Sequence, residues 1–219
     1  MFAGHLGGGL MLKRTNSVGL GTLFCAAMLL DVVLWILVLS GIEFVHVPPG
    51  YRRASDLAFD FPYSHSLVAS AGWGCVGFAL GWTIYRTPAQ RMRASFVIAA
   101  AVFSHFILDW LVHVPELPVA GHDSAKLGLG LWRDLPVAWI VEGAFTTAGL
   151  WLYLKAVSLS RARRATLVAV MVVTMVMTVI GQASTAPPPN PGVMAATSLG
   201  TIALLVVFGW WLEREPNRS

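Results

Sequence analysis

Six stretches of the chain stay apolar for about 17 to 25 residues, the length an α-helix needs to cross a bilayer, and polar or Gly/Pro-rich sequence separates them. They cover about Ser17 to Ile42, His65 to Tyr85, Ala94 to Val112, Leu135 to Val157, Ala165 to Gly181 and Val193 to Leu212. The pattern predicts an all-α, polytopic membrane protein with about six transmembrane helices. Residues 1–157 hold four helices with ionisable interiors and form a membrane-embedded core; residues 158–219 form a C-terminal transmembrane hairpin. The hairpin's connection, Gln182 to Gly192, is stiffened by Pro187, Pro188, Pro189 and Pro191.

Composition agrees with that solvent. Hydrophobic residues make up 56% and charged residues 12% of the chain, against about half and a quarter in a soluble domain. The formal charge of +4 resides in short connections, and no basic stripe suited to nucleic acid is present. Cys25 and Cys75 fall in apolar runs without CxxC spacing, which predicts two core residues rather than a disulfide or thiolate site.

Charge also orients the chain. Lys13 and Arg14 precede the first run; Arg86, Arg91 and Arg93 lie in the second connection, and Lys155, Arg161, Arg163 and Arg164 in the fourth. The first, third and fifth connections carry no comparable excess. The positive-inside bias therefore puts both termini in the cytoplasm and the odd connections outside. Trp82, Tyr85, Trp151, Tyr153, Trp210 and Trp211 then mark inner boundaries, and Trp110, Trp132 and Trp139 outer ones.

That orientation gathers the ionisable residues. Asp31 lies roughly 16 Å below the outer end of the first helix at 1.5 Å per residue, and His65 opens the second helix from outside. His105, Asp109 and His113 share one face of the third helix at i, i+4 and i+8, and Glu142 lies roughly 10 Å below the start of the fourth. An unpaired carboxylate at a helix centre costs about 2.5–3.5 kcal/mol on insertion scales, so these groups need partners. A divalent ion, zinc before others, meets that need through His65, His105 and Asp109, with His46 or Asp31 completing the set. Glu142 and Asp31 are the candidate catalytic bases. The same groups have plainer uses: Ser64 or Ser66 could cap the second helix, Asp31 and Glu142 could hydrogen-bond each other, and His5, His113 and His122 read more simply as interfacial residues. The long first connection, Glu43 to Ser64, and the third, His113 to Asp134 with Gly121, Gly128 and Gly130, are candidate lids.

The tracts Phe61-Pro62-Tyr63-Ser64-His65-Ser66-Leu67 and Ser104-His105-xxx-Asp109-Trp110 resemble the HS…SHxxxD pattern of bacterial membrane-bound metal-dependent hydrolases, the group that includes LexA-binding inner-membrane-associated hydrolases. Asp31, the segment Gly41 to His46 and the tract Gly128 to Trp132 are similar to divergent members, so the resemblance spans roughly residues 20 to 155. It implies a multi-pass protein of the bacterial inner membrane with a metal at His65, His105 and Asp109. The HxxxD also resembles the last motif of lipid-phosphate phosphatases, but their Ser-Arg and Pro-Ser-Gly-His tracts are missing here, and no Arg occupies the helical site region.

The expectation is a metal-dependent hydrolase with its site near the outer, periplasmic face, acting on an ester, phosphoester or amide, a membrane lipid being the favoured substrate. Two non-enzymatic alternatives are an accessory or cofactor-seating subunit of a larger membrane complex, with His65 and His105 ligating a haem or chlorin, and a transporter. A transporter would carry polar groups through the inner half too, where the sequence has none.

Overall fold

A computed structural model describes residues 1–13 and 18–214. Arg14 and Ser17, one an expected inner-face charge and the other the expected start of the first span, lie outside the described residues. Eight α-helices are present among the described residues: α1 Phe2–Met11, α2 Leu20–Ala27, α3 Leu29–Leu39, α4 Leu67–Ile84, α5 Pro88–Val112, α6 Leu135–Ala156, α7 Arg161–Ala183 and α8 Pro191–Glu213. The last five are each long and apolar enough to cross a membrane, and α2 with α3, sharply bent at their junction, is apolar enough as a pair for a broken span or a re-entrant segment. The protein is thus an all-α multi-pass membrane protein. Apolar residues far out on the bundle, Ile140 at 70% and Leu204 at 73% exposure, are its lipid-facing surface.

Local chemistry sets the helix starts. Ser66, Asp134, Ser160 and Asn190 each accept from the backbone N–H three residues on, and prolines open α5, α6 and α8 where no N–H is needed. The first span, read as one helix from its unbroken apolarity, bends by 52° at Met28. The side chain of His105 explains the break. Its Nδ1 lies 2.7 Å from the carbonyl oxygen of Ala27, which in an unbroken helix would serve the N–H of Asp31.

Helix α1 was not legible as an element. It is ten residues long, about 15 Å, half of what a span requires. It packs inside the bundle against α6, with further contacts to α2, α5 and α7. Glycine makes this possible: a Cβ at Gly7 would stand 2.6 Å from the carbonyl oxygen of Phe145, and Gly149 faces the Gly7 backbone in turn. The pair Gly21 and Gly209 joins α2 to α8 in the same way, with a Cβ at Gly209 falling 2.7 Å from the Gly21 nitrogen. Since backbone on α6 cannot retreat, Gly7→Ala is expected to cost about 1–3 kcal/mol, the range for overpacking. A lowered thermal midpoint in detergent checks this, and an unchanged midpoint would show that α1 is not wedged there.

Two groups of buried side chains tie the bundle together. Leu23, Leu30, Phe61, Val102 and Phe106 join α2, α3 and α5 beneath the first connection. Leu6, Phe24, Tyr153, Met171 and Ile202 join α1, α2, α6, α7 and α8, so the C-terminal hairpin shares its apolar interior with the ionisable helices. Tyr153 is therefore buried rather than interfacial, its hydroxyl donating to Glu213 at 2.9 Å. Cys25 and Cys75, expected in the core, are exposed on α2 and α4. A helix apolar all round does not say which face turns to lipid.

The odd connections meet on one face, as alternation of spans requires. In the first, β1 Phe44–His46 pairs antiparallel with β2 Ala58–Asp60; in the third, β3 Leu117–Pro118 pairs with β4 Lys126–Leu127. The two interlock through Phe59 N–H to Glu116 (3.4 Å) and His122 to Asp60 (2.9 Å). The fifth joins them where Ala54 N–H donates to Ser184 at 2.8 Å and the Tyr51 hydroxyl to Ala186 at 3.0 Å. The third connection, expected as a movable lid, is tied back to α5 by Leu129 N–H to Trp110 and Gly130 N–H to His113, both 2.8 Å. Gly130, with φ +78°, supplies the left-handed turn that lets this happen. At the opposite face Lys13 is buried and paired with Glu213 at 2.9 Å.

Candidate metal centre

Helix α5 supplies the base of the site. His105 and Asp109, one turn apart and both buried, bring Nε2 and Oδ2 to 3.1 Å. Because the Ala27 carbonyl can only accept, His105 carries its ring proton on Nδ1 and presents an Nε2 lone pair to the interior.

His65 comes to the same point from the turn ahead of α4, and a buried carboxylate sets its ring. Glu43 Oε1 accepts from Tyr63 N–H (2.8 Å) and Ser64 N–H (2.9 Å), and its Oε2 accepts the Ser64 hydroxyl proton (2.7 Å). With that proton committed, the Ser64 oxygen accepts from His65 Nδ1 at 2.8 Å. The proton of His65 is thereby assigned to Nδ1, and its Nε2 too is a free lone pair. Ser66, not Ser64, is the helix cap.

The two Nε2 atoms face each other at 3.3 Å, with Asp109 Oδ2 3.5 Å from that of His65. Asp31, at the first turn of α3, places Oδ1 3.6 Å from His65 Nε2 and 3.7 Å from His105 Nε2. With both rings neutral, two lone pairs and two carboxylates converge, an arrangement that a cation, or a proton on one imidazole, resolves. The edges of the His65–His105–Asp109 triangle, 3.1, 3.3 and 3.5 Å, suit one ion. A tetrahedral zinc with bonds of about 2.0–2.1 Å has edges of about 3.3–3.4 Å. A cavity of about 180 Å³ reaches this point, lined on its polar side by His5, Asp31, His65, Asp109 and His113. Asp31 is the accessible member, its side chain 22% exposed against 3% for Asp109. A larger cavity of about 660 Å³ lies at the other face beside Lys13, Arg163 and Glu213, away from this chemistry.

The other expected residues lie elsewhere. His46 is exposed on β1, opposite Ala58, and is not among the converging ligand groups. Glu142 is buried on α6, where one oxygen accepts from Gly4 N–H (3.2 Å) and the other from the Gln182 amide (3.0 Å). Its carboxylate holds the start of α1, and it makes no hydrogen bond to Asp31. His122 sits in the third connection, on Asp60 of the first.

Two residues gain a place that sequence did not assign. Glu43 orients His65 as described. His5, on α1, stacks on the His105 ring with centroids 3.6 Å apart and planes within 6°, and its Nε2 lies 3.0 Å from Asp109 Oδ1. The Met1 amino group is 3.4 Å from that same oxygen. His113 directs Nδ1 to Glu116 at 2.6 Å and stands with Nε2 3.8 Å from Asp109 Oδ1. No family model, curated protein or solved structure matches the chain.

Proposed function

We propose that this chain is a membrane-embedded, metal-dependent hydrolase whose divalent ion, zinc before others, is held by His65, His105 and Asp109. The convergence of two Nδ1-anchored imidazoles and one buried carboxylate on a triangle of zinc-like edges carries the reading. The tracts that resemble the bacterial membrane hydrolases, around His65 and from His105 to Asp109, are the ones that meet there. The ion would supply Lewis acidity and lower the pKa of a bound water.

The chain's own groups would do the rest. Asp31 lines the cavity and faces both imidazoles, the position of a general base. It would take a proton from water as the water oxygen bonds to the carbonyl carbon or phosphorus, and return that proton to the oxygen or nitrogen that leaves. Phe61, Leu34 and Trp35 give the cavity an apolar wall suited to a lipid ester, phosphoester or amide. The cavity lies toward the face of the odd connections, which the positive-inside bias would put outside; the resemblance would make that membrane a bacterial inner one.

Elemental analysis of the purified full chain, with hydrolysis of a lipid and phosphoester panel, tests the proposal. Zinc in the wild type, with Asp31→Asn retaining zinc but losing about 10²–10⁴-fold in turnover, is the expected result. A metal-free wild type would overturn the reading. Loss of zinc in Asp31→Asn would make Asp31 a fourth ligand and the site a closed, structural one.

A further inference from the structure

Asp109 meets histidine on both of its oxygens. Oδ2 faces His105 Nε2 at 3.1 Å, and Oδ1 faces His5 Nε2 at 3.0 Å. The two imidazoles that address it are parallel and stacked 3.6 Å apart, so donors on them stand side by side. Ligand atoms of His5, Asp31 and His105 also lie within 4.8 Å of one another, which places Asp31 against both rings. Two carboxylates therefore meet the Nε2 edge of a stacked histidine pair, a donor set of the kind that two-metal hydrolytic centres use to hold ions about 3.5–4 Å apart.

An independent observation comes from His113. Its Nδ1 proton is committed to Glu116 at 2.6 Å, so Nε2 turns a lone pair toward Asp109 Oδ1 at 3.8 Å. Acceptor faces acceptor here, as it does between His65 and His105.

We propose that the centre is dinuclear, a second divalent cation being held by His5, His113 and Oδ1 of Asp109, with Asp109 bridging the pair. The inference rests on the first site's being a metal site. It also narrows the substrate. No Lys or Arg lines the cavity and the Met1 amino group that does is paired with Asp109, so a phosphoester would draw the positive charge it requires chiefly from the ions, two of which would clamp the attacking and leaving oxygens together. A phosphoester is therefore the substrate class that this centre fits.

The test titrates Mn²⁺ into chelator-stripped, detergent-solubilised full chain, reading bound ions by equilibrium dialysis and their coupling by electron paramagnetic resonance. Two ions per wild-type chain with an exchange-coupled spectrum are expected. His5→Phe, which keeps the aromatic stack on His105, should bind one ion with an uncoupled spectrum. His113→Gln, outside the first triangle, should bind the first ion normally and the second about tenfold or more weakly, and it carries the test if His5→Phe does not fold. One uncoupled ion in the wild type, the result if the Met1 amino group alone satisfies Oδ1, would overturn the second site and leave the first. An unchanged second step in His113→Gln would overturn the proposed ligand set. No bound ion at all would overturn both readings.

Discussion

Asp109→Asn is expected to abolish metal-dependent stabilisation of the protein while leaving its fold intact. The amide has nearly the shape of the carboxylate, so packing on α5 is preserved, but a charged ligand is replaced by a neutral one at a point where two lone pairs already meet. In structural zinc sites a binding free energy of about 10–16 kcal/mol is shared among four ligands, which makes one worth roughly 3 kcal/mol, or about 100-fold in affinity. At zinc 100-fold above its wild-type dissociation constant, the wild type gains about 2.7 kcal/mol on binding and the variant only about 0.4 kcal/mol. Thermal unfolding with chelator and with zinc reads that difference directly. A variant that responds to zinc as the wild type does would remove Asp109 from the ligand set.

Glu43→Gln should weaken metal binding without touching a ligand. In the wild type Glu43 takes the Ser64 proton, which obliges the Ser64 oxygen to accept from His65 Nδ1. An amide nitrogen at that position donates instead, so the Ser64 hydroxyl turns to donate to Nδ1 and the ring proton moves to Nε2, the atom that would bind the ion. The expected loss is about 10–100-fold in affinity, as for other groups that orient a ligand histidine. Nitrogen chemical shifts of the His65 ring should report the exchange of tautomers. Glu43→Ala should instead lose stability, by roughly 3–5 kcal/mol, because the buried N–H groups of Tyr63 and Ser64 lose their acceptor. Equal zinc affinity in Glu43→Gln and wild type would show that the Glu43–Ser64 relay does not set the ring.

The candidate site was partly legible because its chemistry conflicts with its solvent. His105 and Asp109 share a helical face by spacing alone, and charge in an apolar run at Asp31 and Glu142 called for partners wherever the helices were placed. Glu142 found them in Gly4 and Gln182, at a helix start and in the last turn of α7, neither of which carries a signal of pairing. His5 was read as interfacial because a single histidine near a helix end usually is, and the glycine-rich run around it is too short to be a span. Only its packing against α6 shows that those glycines admit the helix to the interior. The break at Met28 is similar: nothing in an apolar run says that His105, 78 residues away, will claim the Ala27 carbonyl.

Hydrophobic periodicity and length determined the solvent, the number of spans and the side of the bundle on which each connection falls, because these follow from the cost of leaving backbone or charge in lipid. Span by span, that cost is local and can be read from consecutive residues. Tertiary structure alone decided which ionisable groups meet. His5, Asp31, His65, His105 and Asp109 come from α1, α3, the turn before α4, and α5, and their distances depend on glycine contacts, a helix break and a loop carboxylate that act between elements distant in the chain.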